Sequence, residues 1–348
     1  MIFSDFIELH RGYDLPKAKR NADGLVPVIA AGGYDGFHDA AKVQGPGVIT
    51  GRSGTLGSVY FNTTDFWPLN TTLFVSNFKG NDPLFVYYYL KTMDLGRYAT
   101  GTTVPTLNRN HLDQIKVNIP DLAQQREIAN KLNLFDEKIS MLNDINDNLL
   151  DLSMTHFEHW LETTSSTNNV SLDEVATYKN GLAMQKFEPE DGADSLPVLK
   201  IRELNQGFTD SSSNRARTDI DESVKVYDGD VIFSWSGTLL VDIWTGGSAG
   251  LNQHLFKVTS TAYPKWFYYM WTRYHLRQFQ QIAAGKATTM GHIKRGDLKA
   301  ANVIIPTDSE FTQLETLLKP VVDTYIENGV EIKNLQTIRD QLLQKLLG

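Results

Sequence analysis

The chain has no cysteine among its 348 residues. That excludes a disulfide framework and any thiolate zinc site, and it fits a reducing compartment. Its eight histidines lack the His-x-x-x-His or Glu-flanked spacing of a metal site, so no metal is expected. No apolar run approaches the ~20 residues of a membrane span, which leaves no membrane partner. The start, Met1-Ile2-Phe3-Ser4-Asp5, has neither the basic nor the apolar region of a secretory signal. Together these absences predict a cytoplasmic protein.

Catalytic signatures are scarce as well. There is no Asn-Pro-Pro-aromatic motif of the kind an amino-methyltransferase requires. Asp136-Glu137-Lys138 has the acid-x-Lys spacing of some nucleases, but it falls on the polar surface of a periodic helix, where a solvated triplet is the plainer reading. The stretch Gly51-Arg52-Ser53-Gly54-Thr55-Leu56-Gly57 lacks the Gly-Lys-Ser/Thr ending of a phosphate loop and the spacing of a dinucleotide fingerprint. No catalytic residue is assigned.

What the chain does have is repetition. Val48-Ile49 and Ser53-Gly54-Thr55-Leu56 recur as Val231-Ile232 and Ser236-Gly237-Thr238-Leu239. Leu69-Asn70 with Leu73-Phe74 recurs as Leu251-Asn252 with Leu255-Phe256, and Pro83 with Tyr87-Tyr88 as Pro264 with Tyr268-Tyr269. The order is kept while the offset drifts by a few residues, as loop insertions would cause. Two copies are too few for a solenoid. They predict a duplicated, pseudo-two-fold protein suited to a target with two half-sites.

The net charge of -8 argues against nucleic acid until it is divided. Residues 1–120 carry 11 Lys and Arg against 10 Asp and Glu, and residues 167–306 are balanced. The acid lies in residues 121–166 and 307–348. Basic clusters in the two balanced segments can still bind phosphate, because fields are screened over ~10 Å.

Each copy therefore reads as a mixed part followed by a polar, periodic part. The expected segments are a first mixed domain (1–120), a first long helix with linker (121–166), a second mixed domain (167–306) and a second long helix (307–348). In the first periodic part the apolar positions Ile128, Leu132, Phe135, Ile139, Leu142, Ile145, Leu149 and Leu152 recur about every 3.4 residues, close to a coiled-coil seam. The second copy offers Leu314, Leu318, Val321, Tyr325, Leu335 and Leu342, interrupted at Asn328 and Gly329. Pro320 predicts a bend or break there. Two such helices most simply pack antiparallel on each other, and these residues are the expected packing and docking positions. The mixed parts read as short strands, such as Gly47–Thr50 and Asp230–Phe233, with one aromatic-rich helix per copy at Leu84–Asp94 and Lys265–Gln280. The aromatic runs could stack bases, but they read better as the buried face of a helix.

The candidate DNA contacts are basic and small polar residues in loops. They are Lys17, Lys19 and Arg20; Arg52 and Ser53; Thr102, Thr103 and Arg109; Arg215 and Arg217; Trp235 and Ser236; and Lys286, Thr288, Thr289, Lys294 and Arg295. Lys and Arg suit phosphate oxygens and guanine edges, while Gly, Thr and Ser supply loop donors and acceptors. A solvated surface loop is the competing reading on composition alone.

Two mixed domains, each closed by a long helix, resemble the specificity subunit of type I restriction–modification systems. The resemblance is carried by Ile7-Glu8-Leu9-His10-Arg11-Gly12 and Ala176-Thr177-Tyr178-Lys179-Asn180-Gly181, by Gly229-Asp230-Val231-Ile232 running into Ser236-Gly237-Thr238, and by Leu112–Pro120 followed by Gln124-Gln125-Arg126-Glu127-Ile128-Ala129. It covers essentially the whole chain. It implies an α+β fold of two pseudo-symmetric target-recognition domains joined by two long antiparallel coiled-coil helices. It implies a non-catalytic subunit that reads a bipartite double-stranded DNA sequence and docks methyltransferase subunits, two of them, with restriction subunits attached through these. S-adenosylmethionine, ATP and magnesium would then belong to the partner subunits, and this chain would need no cofactor. The chain departs from the family pattern at Pro320 and Gly329, and at Lys42–Gly47, which replaces the Gly-Asp pair of the second copy. The alternatives are a specificity subunit or domain of a type II restriction–methylation enzyme, a nuclease or methyltransferase with unrecognised motifs, or a coiled-coil scaffold.

Overall fold

The structure, a computed structural model, describes residues 1–101, 105–285 and 291–348. It contains two compact units, Met1–Glu137 with Thr337–Gly348, and Lys138–Gln336. Among the described residues the helices longer than two turns are α1 (Pro83–Thr92), α2 (Leu122–Thr163), α3 (Lys265–Gly285) and α4 (Asp308–Leu347). None is long and apolar enough to cross a membrane. Thr102, Thr103, Lys286, Thr288 and Thr289 lie outside the described residues.

The first unit is built on an antiparallel sheet of β1 (Glu8–Arg11), β2 (Gly47–Gly51), β3 (Val59–Asn62) and β4 (Thr72–Asn77), in the order β1-β4-β2-β3. The second unit has β5 (Thr177–Asn180), β6 (Val231–Ser234), β7 (Leu240–Ile243) and β8 (Leu255–Thr259), in the order β5-β8-β6-β7. First strand, last strand, second, third: the topology is the same. The central strands β2 and β6 are buried at every residue. They read as apolar runs because both faces are covered. Val48 packs with Phe85 and Val86 of α1, while Ile49 packs with Ile29 and Phe66 on the other side. Val231 and Phe233 pack with Trp266, Phe267 and Tyr269 of α3, while Ile232 packs with Val198 and Leu251 on the other side. Each unit thus layers a helix, the four-stranded sheet and a second sheet, of three strands in the first unit and four in the second. The aromatic runs form the helical layer, and each large ring buried there contributes ~1.5–3 kcal/mol. Helix α1 starts where it does because the Asp82 side chain accepts the Phe85 amide at 2.9 Å and Pro83 occupies its first position.

Gly12 and Gly181 explain themselves as a pair. A Cβ at Gly12 would stand 2.1 Å from the Leu69 carbonyl oxygen, and one at Gly181 would stand 2.2 Å from that of Leu251. Just beyond each glycine the chain forms a parallel bridge to the same short segment, Tyr13 to Leu69 and Leu182 to Asn252. The repeated Leu-Asn pair is the surface that the glycine passes.

The long helices run antiparallel within each unit. In the first unit Ala129 and Leu132 of α2 share a core with Leu343 of α4, and Arg339 donates to Asp136 at 2.6 Å. In the second unit Ile139 and Leu142 pack with Ile332, and Thr164 donates to Glu310 at 2.7 Å. Leu132, Ile139, Leu142, Leu314 and Leu318 are buried as expected, while Ile128, Phe135, Leu149, Tyr325, Leu335 and Leu342 are partly so. The seam departs from the apolar pattern elsewhere. Val322, not Val321, takes the buried position on α4. On α2 the buried positions are Asn146, Leu150 and Ser153, whereas Ile145 and Leu152 are exposed. The two polar residues are satisfied: Asn146 donates to the Tyr325 carbonyl and accepts from Asn328, and Ser153 donates to the Leu149 carbonyl. Pro320 does not break α4. It and Thr316, whose carbonyl loses its helical donor, are both exposed, so water can supply the bond. Gly329 likewise continues the helix, and its missing side chain lets α4 approach Thr245, whose hydroxyl would lie 2.5 Å from a Cβ there.

Candidate nucleic-acid interface

In the first unit the loop after β2 and the segment around Arg109 come together. Leu107 donates its amide to the Arg52 carbonyl at 2.8 Å, and Ser53 forms a bridge with Thr106. Arg52, Arg109 and Arg11 at the end of β1 line one cavity of about 300 Å³ with Leu73, Thr100, Thr106, Leu107 and Asn108. Two of the guanidiniums are tethered to main chain. Arg109 donates to the Leu9 carbonyl at 3.0 Å and Arg52 to that of Asn70 at 3.2 Å. Burial, and then the charge of Arg11, hold the Arg52 guanidinium below its ordinary value.

The equivalent place in the second unit keeps the scaffold and changes the side chains. Ile293 donates to the Trp235 carbonyl at 3.1 Å, and Ser236 forms a bridge with His292. Arg295 donates to the Tyr178 carbonyl of β5 at 3.0 Å, as Arg109 does to β1, and its guanidinium lies 5.3 Å from the Phe256 ring centre. Trp235 stacks on the other ring neighbours: Phe256 at 5.7 Å, His254 at 6.1 Å, and His292 edge-on at 6.4 Å. The Ser236 hydroxyl and His254 Nδ1 share a hydrogen bond of 2.9 Å. Lys294 is exposed and begins the short helix Arg295–Ala300, its amide donating to Asp297. Where the first unit has Arg11, Arg52 and Arg109, the second has Asn180, Trp235 and Arg295.

The remaining candidates do not join these clusters. Lys17 and Lys19 are exposed on a single turn, and Arg20 is bound to Asp35 at 2.8 Å. Arg215 donates to the Ser195 hydroxyl and carbonyl, and Arg217 pairs with Asp219 at 3.2 Å. These arginines hold their own hairpins. Arg11, His254 and His292 were not expected from the sequence. The signal that could have found Arg11 is its place one residue before the paired glycine. Gly246-Gly247-Ser248-Ala249-Gly250 has the spacing of a nucleophile elbow but leads into the strand Ala249–Leu251 rather than a helix. Among the described residues no group of His, Asp and Glu could hold a metal.

Two copies of one sheet, each with an arginine-bearing loop cluster beside it, make this a duplicated protein. The family described as type I restriction modification DNA specificity domain matches the chain twice, over residues 3–150 and 165–335, and the chain belongs to that family. It is 25% identical over 295 residues to the type I restriction enzyme MjaIX specificity subunit of Methanocaldococcus jannaschii, a stretch covering 76% of this chain and 68% of that one. It is 25% identical to a putative type I specificity subunit of Mycoplasma pneumoniae, over 97% of this chain and 93% of that one. The crystal structure of the S subunit of a type I restriction–modification system from M. genitalium has the same fold, with a TM-score of 0.59 at 17% identity, covering 100% of this chain and 95% of that one.

Proposed function

We propose that this specificity subunit reads a bipartite double-stranded DNA sequence, one half-site by each recognition domain, and performs no chemistry itself. The observation that carries the reading is the unequal pair of clusters on an equal scaffold: Arg11, Arg52 and Arg109 in one domain, Asn180, Trp235 and Arg295 in the other. Guanidiniums suit phosphate and guanine edges, and a half-buried Trp supplies apolar contact. Different side chains at equivalent places mean that the two domains meet their half-sites through different contacts. Catalysis, S-adenosylmethionine and ATP would reside in partner methyltransferase and restriction subunits. The long helices would dock the methyltransferases. In support, Met141, Ile145 and Leu152 of α2 are exposed apolar residues at helical spacings of four and seven, hence on one face.

The experiment is to reconstitute the chain with its methyltransferase subunit and map the modified bases in DNA exposed to the complex. Modification at one split sequence with two unlike halves is expected. Modification by the isolated chain, or at a continuous site, would contradict the reading.

A further inference from the structure

The three arginines around the first domain's cavity have no acid among them. The remaining lining residues are Leu73, Thr100, Thr106, Leu107 and Asn108. Elsewhere arginines meet carboxylates, as in Arg20 with Asp35, Arg202 with Glu203 and Arg339 with Asp136. Here Arg52 and Arg109 are fixed by main-chain carbonyls, which orient them without neutralising them. Arg11 has no side-chain hydrogen bond or ion pair with any described residue. Like charges lining one cavity repel, and Arg52, half-buried there, feels that repulsion from Arg11. A neutral guanine edge would leave the repulsion standing. An anion would remove it, and each guanidinium has N–H groups to spare, out of five.

We infer that Arg11, Arg52 and Arg109 together hold one backbone phosphate of double-stranded DNA, which makes the first recognition domain the anchored half of the pair. The inference rests on the DNA-reading function proposed above and adds a division of labour to it. At the equivalent places the second domain has Asn180 and Trp235 instead of Arg11 and Arg52; it keeps Arg295, with Lys294 where the first domain has Asn108. Among the described residues no trio of arginines gathers there, and its cluster is left to the bases. Arg11 and Arg52 are thus positioning residues for the DNA and carry no sequence information.

The test uses the full chain assembled with its methyltransferase subunits. Binding is measured over a range of salt, to a duplex of the recognised sequence and to a duplex of random sequence. Arg11→Gln and Arg52→Gln should each weaken both duplexes by the same factor and lower the slope of log affinity against log salt, by at most about one, the share of the single phosphate they hold. Arg11→Lys, which keeps the charge, should recover most of the loss. Thermal melts check folding. Should Arg52→Gln fail to fold for want of its bond to Asn70, Arg11→Gln carries the test, because its side chain bonds none of the described residues. A loss confined to the recognised duplex with the slope unchanged would make these residues base readers and overturn the inference while leaving DNA reading intact. Unchanged binding in Arg11→Gln would also overturn it. A parent complex that binds neither duplex would instead refute the function on which it rests.

Discussion

The two recognition domains are alike in everything that builds a sheet and unlike where the loops meet. Both place the first strand beside the last, both bury the central strand on two faces, and both pass a glycine against a Leu-Asn segment. Both send an arginine back to a carbonyl of the first strand. Yet one cluster gathers three arginines and the other, among the described residues, a tryptophan, two histidines and Arg295 beside Lys294. The scaffold depends on backbone geometry and core volume, which tolerate little change. The loop side chains sit at the edge of that scaffold, half-buried or exposed, so they are freer to differ.

The comparison can be broken first at the scaffold. Gly12→Ala and Gly181→Ala each drive a methyl group into a carbonyl, and overpacking against rigid backbone costs about 3 kcal/mol or more. The two losses, read from denaturant or thermal unfolding, should agree to within about 1 kcal/mol. A harmless change at one of them would mean that the halves are not built alike. The loops should behave the opposite way. Trp235→Ala should relax readout of the second half-site by ~1–3 kcal/mol and leave the first untouched, measured by selection from a duplex library randomised in each half. The smallest effect belongs to the helices. The first unit joins them by Asp136 and Arg339, the second by the amides of Asn146 and Asn328 and, at its surface, by Lys138 and Glu331 at 3.4 Å. Asp136→Asn should cost ~1 kcal/mol, and less in high salt, because that pair is partly exposed. No comparable salt effect is expected at Asn146.

Much of the scaffold is legible in the sequence, because duplication writes each signal twice. The strands at Gly47–Gly51 and Val231–Ser234, the aromatic helices and the two long helices all follow from pattern and period. The helix seam is less legible. Apolar spacing alone favours Ile145 and Leu152 over Asn146 and Ser153, yet the polar residues are buried because each finds a backbone or amide partner that only the folded pair supplies. Val321 and Val322 cannot be told apart by residue type, and helical phase decides between them. At the sites, Arg52, Arg109, Trp235 and Arg295 stand out in sequence as basic or aromatic residues in matched loops. Arg20, Arg215 and Arg217 look identical by that criterion, and only their carboxylate and hairpin partners set them apart from the clusters. Arg11 sits in a strand and carries no loop signal at all.

The most direct test of the account replaces residues 167–306 by a second copy of residues 1–120, keeping both long helices. If the two domains are one scaffold with two readers, the hybrid assembled with its methyltransferase subunits should modify a site whose halves are both the first half-site, in inverted orientation. A folded, assembled hybrid that still reads the original unlike halves would contradict it.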